Sequence, residues 1–144
     1  MAVADRTFSV LVVDDDPSIR KMIIAALRRG EVPYSFLEAP NGRDALDLMR
    51  AETPDVVVLD LMMPVVSGWD VLRERSHDER LRAIPVIVVS ANRDPEVVTA
   101  VNAGICAFLP KPFDIGALSA LVRSCIPPGA PPGPEHPGLQ SPPC

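Results

Sequence analysis

Along the first 126 residues, short apolar runs alternate with apolar stripes at helical spacing. Runs rich in β-branched residues lie at Ser9–Val13, Val56–Leu59 and Val86–Val89, with weaker ones at Tyr34–Glu38 and Ala107–Leu109. Runs apolar on both faces suit parallel strands covered by helices on each side. Between them, Ile19, Met22, Ile23, Ala26 and Leu27 form one stripe, and Ala45, Leu48 and Met49 another. Val97, Val98, Val101 and Ile105 form a third, and Ile115, Leu118, Leu121, Val122 and Cys125 the last. Gly68 to about Arg75 reads as a shorter helix. Asp16-Pro17 and Asp94-Pro95 each supply an N-cap followed by proline at the first helical position, Asp114 a further cap. Gly30 and Gly104 stand where helices should stop. The pattern predicts an α/β fold of five βα units, a parallel sheet with right-handed crossovers.

Composition narrows the classes. The chain has 144 residues with 47% apolar and 23% charged, which suits one globular domain. The segment 127–144 holds eight of the 17 prolines and three of the eight glycines, so the folded domain is expected at 1–126, followed by a disordered or polyproline-like tail or linker. No run of about 18 apolar residues marks a membrane span. The opening MAVADRTFSVLVVDDD lacks the form of a signal peptide. A net charge of −5 disfavours direct nucleic-acid binding. Three cysteines, Cys106, Cys125 and Cys144, have no metal-ligand spacing; nothing in them suggests a disulfide framework, and a reducing cytoplasm is the simpler expectation. Cys144 is not placed for prenylation.

In such a sheet, ligands bind at the carboxyl ends of the strands. The first run ends in Asp14-Asp15-Asp16, the third in Asp60, the fourth in Ser90 and the fifth in Lys111, while the second brings only Ala39-Pro40. Carboxylates about 5 Å apart repel by roughly 3 kcal/mol per pair at an effective dielectric of ~20. A hard divalent cation relieves this, and Mg²⁺ takes a few carboxylates and completes its shell with water and phosphate oxygens. Lys111 is one of only two lysines beside 12 arginines, and an ammonium is a point charge suited to a single phosphoryl oxygen. Singly, each residue has a plain structural explanation: an acidic loop with Asp16 as helix cap, a turn aspartate, a solvated serine, a surface lysine such as Lys21. Together, at four strand ends, they point to phosphoryl chemistry.

The series LVVDDDPSIR, VVVLDLMMP, PVIVVSA and FLPKPF resembles the receiver domain of two-component response regulators, over residues 8–125 and in family order. The resemblance implies a flavodoxin-like (βα)5 sandwich with strand order 2-1-3-4-5. It implies that Asp60 accepts a phosphoryl group from a sensor histidine kinase or phosphotransfer protein, with Mg²⁺ held by Asp14, Asp15, Asp60 and the Met62 carbonyl. Lys111, Ser90 and the backbone N–H of Ala91 would bind phosphoryl oxygens. Phe108 would be the aromatic that swings inward when Ser90 engages, and the Lys111–Pro112 bond would be cis. Phosphorylation would switch a face built on the 95–105 helix, the fifth strand and the final helix, for a downstream protein target or a homodimer. The chain would catalyse its own phosphorylation and dephosphorylation as a signalling switch, without being a turnover enzyme. Two positions depart from a chemotaxis-like pattern: Phe108 lacks a hydroxyl, and Met62 cannot orient an attacking water, leaving that role to Asn92. A fairly long-lived aspartyl phosphate is therefore expected.

Other readings stand beside this one. Asp14 and Asp16 form the D-x-D of a haloacid-dehalogenase-type phosphatase, although Asp16-Pro17 reads as a cap and no cap domain is available. A phosphorylation-independent receiver-like module would be expected to lack part of the Asp14, Asp15, Asp60, Ser90 and Lys111 set. The domain stands alone or forms the receiver end of a longer regulator with an output domain, with 127–144 as linker. Trp69, after the Asp60 run, is either a fluorescent reporter of Mg²⁺ or a half-buried packing residue.

Overall fold

The fold is taken from a computed structural model, which describes residues 7–30, 32–63, 66–91 and 104–126. Five strands, β1 (Phe8–Val13), β2 (Tyr34–Ala39), β3 (Val56–Asp60), β4 (Val86–Ser90) and β5 (Ala107–Pro110), form one parallel sheet in the order β2-β1-β3-β4-β5. The helices are α1 (Pro17–Arg28), α2 (Gly42–Glu52), α3 (Gly68–Ser76), the short α4 (Glu79–Arg82) and α5 (Ile115–Cys125). The expected helix over the Val97–Ile105 stripe with its Asp94-Pro95 start, Asn92 and the 127–144 tail lie outside or largely outside the described residues.

The alternation of side chains along each strand builds two cores. Leu11, Val13, Val57, Leu59, Val86 and Val88 face one way and join Ala45 and Met49 of α2 and Val71 of α3. Val10, Val12, Val56, Val58, Ile87 and Val89 face the other and join Ile23, Ile24 and Leu27 of α1 and Leu118, Val122 and Cys125 of α5. Every residue of β3 and β4 is buried, as their unbroken apolar runs require.

Helix starts follow sequence chemistry. Asp16 accepts from the Ser18 N–H with Pro17 in the first turn, and Asp114 accepts from the Ala117 N–H, both as expected. Asn41, the Ser67–Asp70 capping box and Asp78 add three caps that the sequence reading had not singled out. Of the expected α1 stripe, Ile23, Ala26 and Leu27 are buried and Ile19 packs against the core, while Met22 is exposed and Ile24 is buried in its stead.

The expectation of no disulfide is corrected. Cys106 and Cys125 are bonded, with Cα atoms 6.3 Å apart. A spacing of 19 residues carried no signal, because the pairing depends on tertiary structure. After β5 the chain turns and α5 runs back along the sheet, which brings its last residue beside the start of β5.

Candidate phosphoryl and metal site

The carboxyl ends of β1, β3, β4 and β5 meet at one edge, and the fold brings the chemistry-bearing residues there. Asp14, directly after β1, is only 3% exposed. Its N–H donates to the Ala39 carbonyl, its Oδ1 accepts from the Asp16 N–H at 2.9 Å, and its Oδ2 lies 3.3 Å from Lys111 Nζ. Asp15 follows with an exposed side chain. Asp60 ends β3 at 5% exposure; its Oδ1 accepts from the Met62 N–H at 3.2 Å and its Oδ2 lies 3.5 Å from Lys111 Nζ. Ser90 ends β4 fully buried, and its carbonyl accepts from the Lys111 N–H at 2.8 Å. The Lys111–Pro112 peptide is cis, as the resemblance implied.

One oxygen each from Asp14, Asp15 and Asp60 lies within 4.8 Å of the others. Three carboxylates against one ammonium leave a site two charges negative, made of hard oxygen donors, which fits a divalent cation such as Mg²⁺. Burial raises the Asp60 pKa above the ordinary carboxylate value; Lys111 and the Met62 N–H oppose that rise and Asp14 adds to it. Burial works against the charge on Lys111, but the Asp60 and Asp14 carboxylates outweigh it and hold the lysine above its ordinary value. Negative and positive groups thus stabilise each other in a partly desolvated pocket.

The remaining residues take less central places. Asp16 caps α1 with the same side chain that a D-x-D phosphatase would use, which removes the main support for that reading. Met62 and Ala91 are exposed, each one or two residues beyond its strand end. Phe108 is half-buried on β5 against the Leu11 core. Trp69, the second residue of α3, is at the margin of exposure. Sequence reasoning missed Arg20: its guanidinium donates to the Asp14 carbonyl at 2.6 Å and to Glu38 Oε1 at 2.8 Å. The DDDPSIR motif contains this residue, and its i, i+3, i+4, i+7 relation to Ile23, Ile24 and Leu27 is the signal that marks it as inward-facing.

A parallel five-stranded sheet in this order, with clustered aspartates and a lysine at its carboxyl edge, defines a receiver-type signalling domain. The chain belongs to the response regulator receiver domain family, whose model matches residues 10–123. It is 41% identical over 120 residues to the response regulator MprA of Mycolicibacterium vanbaalenii, covering 81% of this chain and 49% of that protein. It is 37% identical over 118 residues to the DNA-binding transcriptional regulator NtrC of Escherichia coli, covering 81% of this chain and 24% of that protein. Among solved structures, the receiver domain of the Francisella response regulator 1452 superimposes with a TM-score of 0.72 at 30% identity, covering 81% of this chain and 94% of that one. A putative response regulator from Chloroflexus aurantiacus gives a TM-score of 0.74 at 25% identity, covering 82% and 96%. The chain spans about half the length, or less, of these curated relatives.

Proposed function

We propose that this receiver takes a phosphoryl group onto Asp60 from a phosphohistidine of a sensor kinase or phosphotransfer protein. An Asp60 oxygen attacks phosphorus, the P–N bond breaks, and the histidine leaves as imidazole after gaining a proton. The observation that carries this reading is the meeting of Asp14, Asp15 and Asp60 oxygens within 4.8 Å opposite the Lys111 ammonium. Phosphoryl transfer asks chiefly for positioning and charge neutralisation. Asp60 is held by the Met62 N–H, and Lys111 is tethered between two carboxylates, ready to turn to a phosphoryl oxygen. Asp14, Asp15, Asp60 and the Met62 carbonyl would hold Mg²⁺, which when bound neutralises charge on the transferring group.

The Ser90 hydroxyl and the Ala91 N–H would bind the added oxygens. Drawing Ser90 toward them frees space for Phe108 to move, which would carry the signal to a partner-binding face or a homodimer contact. Among the described residues no helix is long and apolar enough to cross a membrane, and a cytoplasmic setting is part of the proposal. There the Cys106–Cys125 bond would meet thiol reductants. The longer relatives favour a second reading alongside: this receiver serves within a larger regulator.

Acetyl phosphate with Mg²⁺ tests the chemistry. Intact mass should show one added phosphoryl group on the wild type, none on Asp60→Ala, and none with EDTA. Unmodified wild type would instead support the phosphorylation-independent module. A panel of histidine kinases assayed against both proteins would identify the donor.

A further inference from the structure

We propose that Arg20 is a positioning residue that aims the Asp14 and Asp15 carboxylates at the cation site. The inference rests on the Mg²⁺ reading above and assigns this site a support on α1. Arg20 lies on the inward line of α1 with Ile23, Ile24 and Leu27, and its side chain is only 13% exposed. That line continues past the apolar core to the sheet edge, where the side chain meets the end of β1 rather than solvent.

The guanidinium makes two bonds that no shorter or rounder cation makes together. Its Nη1 donates to the Asp14 carbonyl at 2.6 Å, and its Nε donates to Glu38 Oε1, on β2, at 2.8 Å. The Asp14 carbonyl belongs to the peptide joining Asp14 to Asp15. That unit is planar, so fixing its oxygen fixes the Asp15 N–H and Cα as well. The rest of Asp14 is already held by Ala39, Asp16 and Lys111. Asp15 has an exposed side chain, so its backbone is the handle through which its direction is set. Glu38 in turn fixes the guanidinium plane and offsets its charge, which keeps a cation useful beside a cation site. Groups of this kind, one bond removed from the ligands, commonly govern metal affinity.

The sign of the effect separates positioning from simple electrostatics. Removing a positive charge near a cation site tightens binding if charge alone matters; loss of ligand aim weakens it. Mg²⁺ binding to the unphosphorylated protein would be measured by calorimetry, with circular dichroism to check folding. Arg20→Met should raise the Mg²⁺ Kd by about tenfold despite losing the charge. Arg20→Lys, which keeps the charge and most of the stem but not the fork, should also raise it and serves if the first variant folds poorly. Lys21→Met, which removes an exposed charge from the same helix, should leave the Kd unchanged or slightly lower. Glu38→Gln, which retains an acceptor, should cause a smaller rise than Arg20→Met. Unchanged or tighter binding in folded Arg20→Met and Arg20→Lys, with wild type binding normally, overturns the role of Arg20 alone. A wild type that binds no Mg²⁺ overturns the parent reading and this one together.

Discussion

The Nζ of Lys111 lies 3.3 Å from Oδ2 of Asp14, although 97 residues separate them along the chain. The same ammonium lies 3.5 Å from Oδ2 of Asp60, so it stands in for part of the positive charge that the site requires. That placement gives Lys111 two opposed effects. In the resting protein it would compete with a divalent cation for the carboxylates. During the proposed transfer it would stabilise negative charge gathering on phosphoryl oxygens. Lys111→Met should therefore bind Mg²⁺ severalfold more tightly while its phosphorylation by acetyl phosphate slows by about 10²-fold, the usual scale for losing one such charge-stabilising group. Calorimetry and a mass-detected time course would read the two halves separately. Equal losses in both would mean that Lys111 only supports the local fold.

Asp60 should cost the metal-free protein stability. Its pKa is raised chiefly by burial, so the native state binds this proton more tightly than the unfolded chain does. By linkage, the contribution of the protonated group is complete below the unfolded pKa and is lost as pH climbs through the raised native pKa. At neutral pH the ionised carboxylate is thus a net burden, which Asp60→Asn removes while Asp14 still faces Lys111. In EDTA at pH 7, Asp60→Asn should melt higher than wild type, and the gap should close as pH falls through the raised pKa. Mg²⁺ should raise the wild-type Tm more than that of the variant, because a ligand that binds only the folded site stabilises it. An Asp60→Asn protein that melts lower at pH 7 in EDTA would refute the argument.

The sheet and the polar cluster at its carboxyl edge were legible because both follow from local rules. Unbroken apolar runs such as Val56–Leu59 signal central strands, and polar residues directly after them must emerge at the carboxyl edge. The strand order itself was carried by the resemblance to a family. What stayed hidden depends on contacts between distant segments. Arg75 lies in a polar helix sequence, yet its guanidinium is buried and donates to the carbonyls of Ile84, Arg82 and Gly104. Arg20 was passed over for the same reason, since a charged residue among charged neighbours reads as solvent-facing. The Cys106–Cys125 pair needed the reversal between β5 and α5 to be known first.

Gly68 has a steric reason to be glycine. A Cβ there would lie 2.5 Å from the Asp60 carbonyl oxygen and 2.6 Å from the Leu61 Cα, both backbone atoms that cannot swing aside. The Gly68 N–H also donates to the Leu61 carbonyl at 3.0 Å, which seats the start of α3 against the end of β3. Gly68→Ala must push these segments apart. The expected loss is about 1–3 kcal/mol in urea unfolding, with slower phosphoryl uptake because the displaced backbone carries Asp60. At Gly30 the nearest atom to an added Cβ is 3.5 Å away, in ordinary contact. Gly30→Ala should therefore stay within about 0.5 kcal/mol of wild type. Equal stability of the two variants would count against the close-packing argument.

The disulfide and the candidate site occupy opposite ends of β5. Cys106 precedes the strand, Lys111 follows it, and Cys125 closes α5 after the chain has returned. Cross-linking residues 19 apart limits the unfolded chain more than it alters the folded edge where the aspartates meet. Reduction should thus lower unfolding free energy by about 3 kcal/mol, the scale for a loop of this size, while the Mg²⁺ affinity of the folded protein stays within about twofold. Urea unfolding with and without dithiothreitol gives the first quantity, and calorimetry under the same two conditions gives the second. Equal stability in both states would remove the bond's stabilising role. A large change in Mg²⁺ affinity would mean that strain at the start of β5 travels along the strand to Lys111, so that thiol oxidation and phosphoryl transfer are coupled.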